Sequence, residues 1–167
     1  MNRTNKHGPY LADAVANEFL DLGGGSITPM KLQKLVYYAH AWNLAIFDAP
    51  LISDRIEAWT YGPVIPSLYE EFKEFRGSPI TRKAWELDNQ GKRIQARIPD
   101  HDDRSKALIE RVWKLLGHLT PIQLSNMSHS INEPWHKIQY KNAGLAIPQE
   151  LITDCFKQIL RGQTGGT

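Results

Sequence analysis

Histidine, cysteine and carboxylate side chains are the groups in this chain with the means to do chemistry, and their spacing argues against catalysis. His40, His118, His129 and His136 lie in helix-forming or apolar sequence, whereas His7 and His101 lie in polar, loop-like sequence. Two histidines four apart on one helix would aim both imidazoles at a zinc ion. No pair has that spacing, and Asn132 and Pro134 stand between His129 and His136. The pattern predicts capping, interface or partly buried histidines. Cys155 beside a histidine base would be a thiol nucleophile. It falls instead on the apolar stripe Leu151, Ile152, Cys155, Phe156, Ile159 and Leu160, where a thiol packs as a small hydrophobe.

Glu70, Glu71 and Glu74 flank Lys73 near the start of one helix. Glycoside hydrolysis needs two carboxyls facing each other across a cleft, about 5–10 Å apart. A single helix face does not supply that; acidic groups in a first turn offset the helix dipole. The loop Gly23-Gly24-Gly25-Ser26 lacks the Gly-Lys-Ser/Thr ending and the preceding strand of a phosphate cradle. No catalytic set, metal site or cofactor site emerges, so the sequence predicts a binding protein rather than an enzyme.

Two segments could bind. Residues 119–140 read as two short helices with a sharp turn, the outline of a helix-turn-helix. Lys137 is the one fixed cation among its polar residues, and phosphate neutralisation takes several lysines or arginines. Nucleic acid is therefore not the expected partner. The aromatic residues Trp42, Trp59, Tyr61, Tyr69 and Trp135 stand near proline-containing turns. Trp and Tyr serve both in cores and as interface anchors. Trp42 reads as core; Trp59, Tyr61 and Trp135 suit either role.

The elements that must position these residues are mainly helical. Apolar steps of three and four predict a helix over 10–22, closed by Gly23-Gly24-Gly25. Thr28-Pro29 starts a second helix, about 28–47, apolar on nearly every side, as expected of a helix at the centre of a fold. Ile56–Thr60 reads as a short strand that Gly62-Pro63 turns. Ser67-Leu68-Tyr69-Glu70 resembles a capping box and opens a helix over 66–76. Residues 78–103 are the least regular, with a period-two strand at 93–98 that could pair with 56–60. Further helices follow over 103–117, from Thr120-Pro121 to about Ser128, from Asn132-Pro134, and from Pro148 to the end. The expected fold is mainly α: one domain over 1–161, a helical bundle around the 28–47 helix with a small two-stranded β element, and a flexible tail at 162–167.

Composition agrees. The 167 residues suffice for one domain with a real core, 41% hydrophobic and 23% charged. A net charge of +2 is too balanced to imply a nucleic-acid or membrane partner. The start, Met1 to Pro9, is polar and unlike a signal peptide. No apolar run reaches the roughly 18–20 residues that span a bilayer. A single cysteine fits a reducing compartment, so a cytoplasmic location is expected.

Three blocks carry a resemblance. Met30-Lys31-Leu32-Gln33-Lys34-Leu35-Val36-Tyr37-Tyr38-Ala39-His40-Ala41-Trp42 resembles the opening helix of the Panacea domain, the SocA-like antitoxin or phage-associated protein family. Glu57-Ala58-Trp59-Thr60-Tyr61-Gly62-Pro63-Val64-Ile65-Pro66 resembles its most distinctive block, and Ser128-His129-Ser130-Ile131-Asn132-Glu133-Pro134-Trp135 a later one. The resemblance covers about 10–145. It implies a mainly helical antitoxin that neutralises a cognate protein toxin, encoded by the adjacent gene, by direct contact and without catalysis. It leaves open a proteolytic adaptor that hands the toxin to a cellular protease, and a DNA-binding regulator acting through 119–140 remains the other alternative. Trp59, Tyr61, Pro63, Tyr69, His129 and Trp135 are the expected partner-binding residues.

Overall fold

Pro29 opens the central element. In the computed structural model, which describes residues 6–139 and 144–164, α2 (Pro29–Phe47) begins after an extended Thr28 with proline in its first turn. The Thr28 hydroxyl makes no capping bond and is buried without a partner. Every residue from Leu32 to Ala41 is buried. Such a helix needs neighbours on all sides, and it packs against α1 (Ala12–Gly23), α3 (Pro66–Phe72), α4 (Asp103–Leu116), α5 (Pro121–Ser128) and α7 (Gln149–Thr164). The short α6 (Pro134–Gln139) sits against α5 and α7.

Local chemistry sets the ends. Gly24 closes α1 in the left-handed conformation at φ +55°. Asp102 caps α4 by accepting from the Ser105 N–H. Thr120 and Gln123 form a full capping box on α5. The capping box expected at Ser67 does not form. Pro66 takes the first helical position with Ile65 at the cap, so the helix begins at the expected residue 66 but Ser67 is not its cap. Ser67 then lies inside the first turn and donates to Asp54. After Phe72 the chain tightens into a 3-10 turn, Lys73–Phe75. At the other end α7 runs through Thr164, so residues 162–164, expected as tail, are helical. The remainder of that expected tail, 165–167, lies outside the described residues.

The expected pairing of 56–60 with 93–98 also does not occur. Each strand pairs with its sequence neighbour, which closes a shorter loop at less entropic cost. β1 (Glu57–Trp59) is antiparallel to β2 (Gly62–Val64), and β3 (Trp85–Leu87) to β4 (Arg93–Gln95). Gly62 makes the first hairpin possible: its φ of +109° is open to glycine and strained for other residues. In the second, the Asp88 carboxylate accepts from the Gln90 and Lys92 N–H groups. The free edge of β1 is covered by residues 144–147, through Ala58 N–H to Leu145 and Ile147 N–H to Ile56. Asn17 of α1 ties the 84–96 region to the bundle, bonding the carbonyls of Ala84 and Ala96 and the Ala84 N–H.

Among the described residues, no helix is long and apolar enough to cross a membrane.

Candidate functional site

The β1–β2 hairpin is held by side chains that bond its backbone. A two-stranded hairpin alone is marginal in water, and Pro63 and Pro66 supply carbonyls without N–H donors. Donors therefore come from the helices. Lys34 Nζ donates to the Pro63 carbonyl at 2.9 Å. Gln33 bonds Ile65 twice, Nε2 to the carbonyl at 3.0 Å and Oε1 from the N–H at 2.9 Å. Ser125 of α5 donates to the Tyr61 carbonyl at 2.8 Å. Trp135 of α6 donates to the Trp59 carbonyl at 2.6 Å. The approach is so close at Gly62 that a Cβ there would fall against Ser128 Oγ and 2.8 Å from Lys34 Nζ.

Behind the hairpin the third sequence block forms a brace. The His129 ring stacks on Trp135 with centroids 3.8 Å apart. Burial lowers the His129 pKa, and the Lys34 charge adds to that shift. Glu133 is buried between Tyr37 and Tyr38, whose hydroxyls donate to it at 3.4 and 3.5 Å. Burial pushes Glu133 up to about 7 against those bonds. Lys34 is likewise buried, and burial pushes it down to about 7.

In front of the hairpin lies an apolar cleft of about 620 Å³, within the usual range of binding pockets. α2 contributes Met30 and Leu32, the hairpin Trp59, Tyr61 and Val64, and α3 Leu68, Tyr69 and Phe72. Tyr61 is 66% exposed and Tyr69 42%. The Trp59 ring meets Tyr69 edge-on at 5.1 Å, and its indole N–H donates to Glu57 at 2.8 Å.

The six residues expected to bind a partner thus divide. Trp59, Tyr61 and Tyr69 converge on the cleft. Pro63 is buried, and His129 and Trp135 are partly buried in the brace. Trp42 packs edge-on against Phe156 at 4.9 Å. Of the segment 119–140 with the helix-turn-helix outline, α5 packs against β2 and α6 against β1. Lys137 reaches Cys155 Sγ at 3.2 Å. Cys155 itself is buried in the core. Among the other histidines, His40 accepts from the N–H groups of Leu51 and Ile52, and burial lowers it to about 4. His7 bonds Asp102 at 2.6 Å. His101 and His118 are exposed. Among the described residues, no three His, Cys, Asp or Glu side chains gather where they could hold a metal.

Sequence reasoning missed Gln33, Lys34 and Ser125 as the residues that fix the hairpin. The available signal was the proline-rich segment itself, whose carbonyls must find donors elsewhere.

A helical body that holds an aromatic hairpin rigidly beside an open apolar cleft has the make-up of a binding scaffold. Residues 32–136 match the family described as "Antitoxin SocA-like, Panacea domain", and the chain belongs to that family. It is 34% identical over 155 residues to Antitoxin SocA of Caulobacter vibrioides (strain NA1000 / CB15N), covering 87% of this chain and 82% of that protein. No solved structure matches the chain.

Proposed function

We propose that this protein is a non-enzymatic antitoxin that neutralises a protein toxin, encoded by the adjacent gene, by direct binding at the hairpin and its cleft. The observation that carries the reading is the pairing of a fixed backbone with free side chains. The carbonyls of Trp59, Tyr61, Pro63 and Ile65 each accept a side-chain donor, while the Tyr61 ring projects 66% exposed. A surface ordered before binding loses less entropy on contact, and exposed tyrosines are favoured interface anchors. In this reading Trp59, Tyr61 and Tyr69 touch the toxin, and Pro63, His129 and Trp135 hold them in place.

Co-expression with the product of the adjacent gene tests it. Toxicity of that product alone, relieved by this protein at an unchanged toxin half-life, is the expected result. A harmless neighbour, or one that stays toxic beside this protein, refutes the reading. Relief that requires a shortened toxin half-life would replace blocking with delivery to a protease.

A further inference from the structure

The charges around the cleft are unevenly matched. Among the described residues that line it, the ionisable groups other than tyrosines are Lys34 and Arg76, and no aspartate or glutamate lines it. On the α3 side the carboxylates already have cations: Glu70 pairs with Lys73, and Glu71 and Glu74 with Arg82. Arg76 is exposed at the mouth of the cleft and makes no ion pair with any described residue.

Its backbone is the second observation. Arg76 follows the 3-10 turn at φ +51° and ψ −111°, held by its N–H to the Lys73 carbonyl. Glycine adopts that region freely, and an L side chain there is strained. Strain of this kind collects at binding and catalytic sites. Gly77 stands one position later, yet the strained position carries an unmatched guanidinium beside an apolar cleft.

We propose that the cleft is a docking groove for an acidic peptide segment of the partner toxin. An apolar side chain of that segment sits between Trp59, Tyr61 and Tyr69, and its carboxylate pairs with Arg76. This rests on the antitoxin reading and gives that surface its chemistry. Guanidinium–carboxylate pairing fixes orientation through two parallel hydrogen bonds, and the aromatic wall supplies the apolar burial.

The test measures the affinity of the purified protein for the product of the adjacent gene. Arg76→Glu is expected to weaken binding at least ~10-fold. Arg76→Gly is expected to raise Tm, because glycine relieves the backbone, and still to weaken binding. Raising NaCl from about 50 to about 300 mM weakens wild-type binding more than binding by Arg76→Gly. Met30→Trp, which fills the cleft from α2 without changing charge, is expected to block binding. Unchanged or tighter binding by folded Arg76→Glu overturns the acidic groove, while the antitoxin reading stands if wild-type protein still binds and neutralises. If wild-type protein does not bind the neighbour's product, the antitoxin reading fails and the groove with it.

Discussion

The Trp135 indole donates to the Trp59 carbonyl at 2.6 Å, a bond between residues 76 apart in the chain. It joins the brace to the hairpin, so a change at Trp135 is felt at the cleft it does not line. Trp135→Phe keeps most of the ring stacked on His129 and removes the donor. Leaving a part-buried carbonyl unpaired costs about 1–3 kcal/mol. Thermal melting should show the loss, and toxin neutralisation should weaken with it.

Gly62→Ala tests the closest packing in the hairpin. The new methyl meets Ser128 Oγ and Lys34 Nζ at a φ of +109°. The expected loss exceeds ~1 kcal/mol, beyond the usual effect of a glycine replacement. Adding Ser128→Gly removes one clash but not the backbone strain, so the double variant should recover only part of the Tm.

Tyr61→Ala and Trp59→Ala should separate binding from stability. Tyr61 is 66% exposed, so its truncation should leave stability within about 0.5 kcal/mol. Loss of an anchor should cost about 2 kcal/mol of binding, roughly 30-fold. Trp59 packs against Tyr69 and bonds Glu57, so its truncation should lower both Tm and affinity.

Lys34 gives stability a pH slope. Its pKa is about 7 in the fold against 10.5 as an ordinary lysine. Between those values the unfolded chain binds more protons, so its contribution raises stability as pH climbs from about 7 to 10.5. Lys34→Met removes that slope. Relative to wild type, the variant should fare best near pH 6 and lose ground steadily toward pH 10, as read by denaturant melts across pH.

Glu133 slopes the other way. With its pKa raised from 4.5 to about 7, the native state holds more protons in that window, and stability falls as pH rises through it. Asp13 acts in the same direction, raised to about 7 by burial and by the charges of Glu71, Asp54 and Glu86. Glu133→Gln should flatten part of the decline between about pH 4.5 and 7, and Asp13 accounts for a share of what is left.

Much of the helical frame was legible because its signals are local. Pro29, Gly24, Thr120-Gln123 and the stripe of α7 each act within a few residues. The strand partners were not legible, since Ile94, Ala96 and Ile98 alternate in a way that names a strand but no neighbour. Ser67 misled as a cap because Pro66, one position earlier, already holds the first helical position. The candidate site was half legible. Trp59, Tyr61 and Tyr69 stood out as aromatics near turns. The burial of Lys34 did not, because a lysine beside a helix start normally reads as solvated, and only the folded hairpin brings the Pro63 carbonyl to it.

The hairpin is gripped by its main chain, and this separates what holds it from what it displays. Ser125 bonds the carbonyl of residue 61, a group that every amino acid offers, and Thr60 projects exposed beside it. Positions 60 and 61 are therefore an interchangeable slot in a fixed mount. Randomising the two together should yield a library of folded variants with altered targets, so one frame could be refitted to new opponents without being rebuilt.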